Sequence, residues 1–448
     1  MLSSFYGRSL LENEVRRTLE DKDLWPDQLK PQPAFVDDRC MRCGSSRKED
    51  KAYIPCSCSD KCYYCTACLQ MGQVKSCSKL WTYEEANVFE EVEGEILTWK
   101  GTLSDQQGLA SQDIVHAVNH HETRLIWAVA GAGKTEMLFE GIAEAVRLGY
   151  RICLASPRVD VCLELAPRIK AAFEHVSQIV LYGDMEEVYH YTQIVIATTH
   201  QFMRFEAAFD FLIIDEIDAF PFYQNDQLYF AAEKARKKES ALIYLTATPD
   251  KKLLEAVKRK KLLASILPAR YHGYPLPVPK MYWAGNWQKE LLEKPEKSPI
   301  IKQMQKMLAN NRRFLIFAPN IKWMEKFEKV LLGIFPEKRF TSVSSVDDER
   351  KKKVMAMRKE EVDFLITTTI LERGVTFKNI DVIVIGAEDR TFTEAALVQI
   401  SGRVGRNSDY PTGDIYFYHN GKSLAMKKAL KQIKTMNAMA KKRGLLHG

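Results

Sequence analysis

Short apolar runs recur along the central part of the chain: Leu125–Ala130, Arg151–Ser156, Gln193–Thr199, Phe211–Asp215 and Ala241–Ala247. Between them the apolar positions fall three or four apart, as Leu138, Ile142, Ala145 and Val146 do, which predicts helices with one buried face. Runs that are apolar without alternation are strands covered on both faces, and strands alternating with helices form a parallel sheet. Tyr271–Lys280, YHGYPLPVPK, interrupts the pattern with three prolines at alternate positions, and a hinge between domains is expected there. The alternation then restarts with Arg313–Pro319, Arg339–Ser345, Val362–Thr369, Asp381–Ala387 and Gly413–His419, so a second α/β lobe is expected. The resulting division is an N-terminal helical arm at 1–39, a Cys-rich module at 40–82, a first lobe at 100–270 and a second at 281–448.

Both ends differ from the lobes. In the arm, Leu11, Val15 and Leu19 share one helical face before the prolines at 26, 31 and 33. At the other end, 421–448 reads as a basic helix: Lys422–Arg443 holds eight basic residues and no acidic one. Its apolar positions Met426, Leu430, Ile433 and Met439 are expected to dock, leaving Lys427, Lys428, Lys431 and Lys434 outside. No further folded domain is expected after Gly413–His419.

Length and charge narrow the function classes. A chain of 448 residues exceeds one ordinary core, and a net charge of +7 permits a polyanionic partner without requiring one. Met1–Val15 lacks the apolar core of a secretion signal and no stretch has the apolar length of a membrane span, so a cytosolic protein is expected. In that compartment the ten cysteines are reduced, and a cluster of them calls for metal.

The chemistry begins at Ala128–Thr135, AVAGAGKT, a phosphate-loop pattern with Ala128 at the position of the first glycine. Gly131, Ala132 and Gly133 let backbone N–H groups approach phosphate oxygens while the following helix directs its positive end at the same anion. Lys134 reaches the terminal phosphates and the Thr135 hydroxyl helps hold Mg²⁺. Asp215 and Glu216 end an apolar run, placing one carboxylate for Mg²⁺ and one to orient the attacking water. In Gln399–Arg406, QISGRVGR, Arg403 and Arg406 stand three apart, so one helical face is expected to present both guanidinium groups to phosphate.

Eight cysteines fall between Cys40 and Cys77. CMRCG and CYYCTAC supply two CxxC pairs, the donor set of a structural four-thiolate zinc site, for which Cys40, Cys43, Cys65 and Cys68 are the expected ligands. Cys62 and Cys65 compete for the second pair, and Cys56, Cys58 and Cys77 leave room for a second ion. A closed site of this kind does not catalyse, so the module's function lies on its surface, where Tyr63, Tyr64, Lys75 and Lys79 suit DNA or a protein partner.

In order, AVAGAGKT, ASPRVD, ATTHQF, DEID, TATP, FLIFAP, TTTILERGVTF and QISGRVGR resemble the motifs of superfamily 2 helicases over about three quarters of the chain. The resemblance implies two RecA-like lobes, ATP hydrolysis with Mg²⁺, adenine recognition by Gln107 of LSDQQ, and a nucleotide contact at Gly374. With YYCTACLQMG ahead of the motor, the chain looks most like the ComFA family of late competence. That implies a single-stranded-DNA-stimulated ATPase that draws transforming DNA into the cytosol, working at the inner face of the membrane with an uptake channel and a cytosolic partner. DEID in place of DEAD, and SPRVDVCLEL in place of a PTRELA string, argue against RNA as the main substrate. Two competing readings are a replication-restart or repair helicase, and an ATP-gated zinc-module scaffold with little turnover.

Overall fold

The computed structural model describes residues 2–19, 25–183, 185 and 187–447. The N-terminal part holds β1 (Arg8–Leu11), α1 (Glu12–Thr18), β2 (Lys30–Pro33), β3 (Phe35–Val36), β4 (Arg39–Cys40), β5 (Lys51–Tyr53), β6 (Tyr63–Cys65) and β7 (Lys79–Tyr83). Leu11 therefore closes a strand, and only Val15 of the expected apolar trio lies within the helix. The Leu11 N–H donates to the Glu14 carboxylate three residues on, which caps α1. The arm and the Cys-rich segment are not separate pieces: β7 pairs antiparallel with both β1 and β2 in one sheet, ordered β1-β7-β2.

Buried charge fastens this sheet to the first lobe. Arg42, fully buried, and Arg204 each donate to Oε1 of Glu14 at 2.8 Å. Burial pushes the Glu14 carboxyl up, but the two guanidinium groups and the Leu11 N–H outweigh it and hold it at about 2. Arg151, also fully buried, bonds Glu85 at 2.6 Å, the Tyr6 carbonyl at 3.0 Å and the Tyr189 hydroxyl at 2.8 Å. The four buried thiols Cys40, Cys43, Cys65 and Cys68 share one apolar cluster with Phe202, Phe209 and Leu228 of the lobe.

The first lobe runs α2 (Asp105–Asn119), β8 (Thr123–Ala128), α3 (Phe139–Arg147), β9 (Ile152–Ser156), α4 (Val159–Ala172), β10 (Gln178–Leu181), β11 (Ile194–Thr198), β12 (Phe209–Ile214), α5 (Asp226–Ala235), β13 (Arg236–Thr246), α6 (Lys251–Lys258) and β14 (Leu263–Leu267). The sheet order is β10-β11-β9-β12-β13-β8-β14, with parallel pairing from β10 across to β13. All five strands read from the sequence are present. The two that were not, β10 and β14, are the edges; half-exposed residues interrupt their apolar runs and remove the signal.

The second lobe holds β15 (Lys280–Trp283), α7 (Trp287–Glu293), α8 (Pro299–Ala309), β16 (Arg313–Phe317), α9 (Ile321–Ile334), β17 (Phe340–Val343), α10 (Arg350–Arg358), β18 (Phe364–Thr367), β19 (Ile380–Ile385), α11 (Glu394–Ser401), β20 (Ile415–His419) and α12 (Leu424–Lys442). Its six strands lie in the order β15-β20-β19-β16-β18-β17, all parallel. The proline stretch is coil, as expected, but it is pinned: the Asn437 side chain of α12 bonds both the N–H and the carbonyl of Leu276 at 2.8 Å. On α12 the buried stripe is Met426, Ala429, Ile433, Met436 and Ala440, with Leu430 and Met439 at its margin. Met426 and Ile433 of the expected set are thus buried, while Ala429, Met436 and Ala440 complete the stripe in place of Leu430 and Met439. Lys427, Lys428, Lys431 and Lys434 are exposed.

Grouped by contacts, the chain forms two units, Met1–Ile126 with Thr135–Thr246 and Asp250–Ser265, and Trp127–Lys134 with Ala247–Pro249 and Ile266–Gly448. No helix among the described residues is long and apolar enough to cross a membrane.

Candidate active site and thiol clusters

The phosphate loop leaves the carboxyl end of β8. Ala128 is the last residue of that strand and fully buried, so the position usually held by glycine has ordinary strand geometry here and accepts a methyl group. Gly131 and Gly133 have φ of 83° and 73°, left-handed values that a side chain disfavours, and between them the Ala132 N–H donates back to the Val129 carbonyl at 3.2 Å, so the loop is tightly wound. Thr135 is buried and Lys134 half-buried; the chain then winds through one tight turn, Glu136–Leu138, into α3.

Asp215 follows β12 and donates its N–H to the Ala155 carbonyl of the neighbouring strand at 2.8 Å. Glu216 adopts φ of 55°, and its N–H donates to Oδ1 of Asp215 at 2.8 Å. Downstream, the Thr246 hydroxyl of the TATP segment donates to Oδ1 of Asp218 at 2.7 Å, joining the ends of two adjacent strands. Gln107 is buried as the third residue of α2, its side-chain carbonyl accepting from both the N–H and the hydroxyl of Ser104 at 2.9 Å.

In the second lobe the expectation that one helical face carries both arginines fails. Helix α11 ends at Ser401, and Gly405, at φ of 63°, turns the chain between Arg403 and Arg406. Arg403 is buried, its Nε donating to the Glu372 carbonyl at 2.9 Å, while Arg406 is half-exposed. Gly374, at φ of 70°, lies two residues beyond that carbonyl. Both positions require glycine: a Cβ at Gly402 would stand 2.3 Å from the Ala130 methyl and one at Gly405 would strike the Pro411 carbonyl at 2.2 Å.

Sequence reasoning missed Arg270. It is almost fully buried, packs its stem against Gly131 and donates to the carbonyls of Gly402 and Gly405. Its neighbours repeat the link: the Tyr271 N–H donates to the Gly131 carbonyl at 3.1 Å, and His272 Nε2 lies 3.2 Å from the Gly405 carbonyl. Burial, and then the nearby Arg406 charge, bring the Arg270 guanidinium down to about 9. A lone arginine at the margin of a proline-rich coil gives no periodic signal, though a charge directly after the apolar LASILPA is an available clue.

The Sγ atoms of Cys40, Cys43, Cys65 and Cys68 all lie within 4.8 Å of one another, so the four expected ligands converge on one buried point able to hold a metal ion. Gly44, at φ of 77°, turns the first knuckle where a Cβ would collide with the Phe230 ring. Cys62, the competitor for the second pair, points elsewhere. On the outside of the module Lys51 stands 5.0 Å over the Tyr63 ring, and Tyr53 is 69% exposed.

Two parallel-sheet lobes with these loops define a superfamily 2 helicase-type motor. The solved structure of S. cerevisiae Dbp5 bound to RNA and ADP BeF3 matches with a TM-score of 0.55 at 13% identity, covering 75% of this chain and 91% of that one. DEAD-box helicase Mss116 matches at 0.57 and 16%, covering 76% and 82%. The family model for the type III restriction enzyme res subunit matches residues 100–251, and that for the helicase conserved C-terminal domain matches 297–408. Residues 1–82 match the competence protein ComFA N-terminal domain. Competence protein ComFA of Bacillus subtilis is 42% identical over 90% of this chain and 86% of its own length, and that of Streptococcus pneumoniae 40% over 97% and 98%. The chain belongs to the ComFA family, and is a competence-related ATPase of the helicase class.

Proposed function

We propose that this chain is an ATP-driven translocase on single-stranded DNA that helps import transforming DNA during competence. The supporting observation is the coexistence of a glycine-shaped phosphate loop, an acid pair and two arginines with an N-terminal module of the ComFA type. Repair proteins are also similar, as with a transcription-repair-coupling factor of Staphylococcus epidermidis at 24% identity, but this chain spans only 26% of that protein.

Lys134 and the loop Gly131–Ala132–Gly133 hold the phosphates; Thr135 and Asp215 would hold Mg²⁺, which would supply charge neutralisation for phosphoryl transfer. Glu216 orients the attacking water and accepts its proton, while the bond from the Glu216 N–H to Oδ1 orients the Asp215 carboxylate. Arg406 and Arg403 stabilise charge as the phosphoryl group departs; Gln107 is assigned to the adenine and Gly374 to the nucleotide contact. Cys40, Cys43, Cys65 and Cys68 would hold zinc, which would fix the fold of the N-terminal module. Exposed lysines of α12 grip phosphates, so binding weakens with salt and depends little on sequence. The protein acts in the cytosol at the inner face of the membrane, beside an uptake channel and a cytosolic partner.

The test is the ATPase rate with no nucleic acid, single-stranded DNA, duplex DNA and RNA. Single-stranded DNA is expected to stimulate most. Flat rates across all four favour the scaffold reading, and a preference for RNA overturns the assigned substrate.

A further inference from the structure

We propose that Cys56, Cys58, Cys62 and Cys77 form a second zinc site, so that the N-terminal module holds two ions in a cross-braced arrangement. The four Sγ atoms lie within 4.8 Å of one another, although the residues come from three turns of irregular chain. Sγ of Cys77 stands 3.9 Å from that of Cys56 and 3.7 Å from that of Cys62. Thiolates arranged tetrahedrally at the usual zinc–sulfur length of about 2.3 Å stand about 3.8 Å apart. The buried set shows the same spacing, 3.9 Å between Cys40 and Cys68 and 3.6 Å between Cys43 and Cys65.

Burial does not explain the convergence. Cys62 is buried, but Cys58 and Cys77 are exposed and Cys56 is half-exposed, so an apolar core does not account for the other three joining it. Holding these four thiols at one point costs conformational entropy that a metal–thiolate bond offsets. Backbone turns bring the sulfurs together: the Ser59 N–H donates to the Cys56 carbonyl and the Cys62 N–H to the Ser59 carbonyl, each at 3.2 Å. The Ser76 hydroxyl lies 3.4 Å from Cys62 Sγ as a donor, the kind of outer bond that orients a ligating sulfur.

The two sets alternate along the chain. Cys40 and Cys43 belong to the buried set, Cys56, Cys58 and Cys62 to the exposed set, Cys65 and Cys68 to the buried set again, and Cys77 to the exposed one. Each ion thus closes a loop through which the other's ligands pass. The β5–β6 hairpin is fixed at its base by Cys65 and at its turn by Cys56, Cys58 and Cys62, which holds Tyr53 and Tyr63 in place on the surface. Because the second set is exposed, its ion leaves first.

The proposal is tested by metal analysis of the full chain purified under reducing conditions, with zinc release to a coloured chelator followed in time. The wild type is expected to carry two zinc per chain and release them in two phases of equal amplitude. The double variant Cys58→Ser/Cys77→Ser should carry one and keep only the slow phase, while Cys77→His, which retains a donor, should keep two. One equivalent in the wild type, or an unchanged count in the double variant, overturns the site. If the double variant does not fold, the wild-type count and release phases still decide. A free-thiol count on metal-stripped, denatured protein never exposed to reductant finds all ten thiols if the site is right, and fewer if the exposed set is disulfide-bonded.

Discussion

Lys134→Ala is expected to lower ATP hydrolysis by about 100-fold or more, the scale seen when one preorganised charge is removed from a reacting phosphoryl or oxyanion. Lys134 is half-buried and belongs to no apolar cluster, so its removal should leave the circular dichroism spectrum and Tm unchanged. The glycines that shape the loop remain in place, so loss of rate without loss of fold isolates the ammonium group. A folded variant that keeps most of its ATPase rate removes Lys134 from the site.

Arg406→Ala should lower kcat by about 1000-fold while KM for ATP moves only a few-fold, because the charge acts when the phosphoryl group departs. Arg406→Lys should recover little, since a point charge does not reproduce the planar fork. Arg403 and Arg406 are chemically alike but differently placed, and their variants should differ. Arg403 is buried against the Glu372 carbonyl, so Arg403→Ala should lower both turnover and stability, by about 1–3 kcal/mol. Unchanged kcat in both variants refutes their role.

What the sequence makes legible follows from burial. Interior strands such as β9, β12, β16 and β19 are apolar at nearly every position and read directly, whereas β10, β14 and β15 are edge strands whose exposed residues break the run. The phosphate loop and acid pair are local motifs, with their chemistry held in a few consecutive residues. The relation of Arg403 to Arg406 depends on the left-handed turn at Gly405, and spacing alone implied a continuous helix. Arg270 acts through backbone carbonyls of Gly402 and Gly405, more than a hundred residues away in sequence, which no local pattern encodes. The choice among thiols was ambiguous for a related reason. CxxC spacing is satisfied twice around Cys65, and only the fold sends Cys62 to the other cluster.

ATP turnover is expected to drive movement along a single strand. Between Thr376 and Gln399 the described chain holds β19 and most of α11 and no inserted hairpin, so the second lobe carries no wedge there to part a duplex. The direct measurement is streptavidin displacement from a biotinylated single strand, run beside unwinding of a tailed duplex on the same preparation, with Lys134→Ala as control. ATP-dependent displacement with little unwinding is the predicted result. Robust DNA-stimulated hydrolysis without displacement, or unwinding as efficient as displacement, would contradict it.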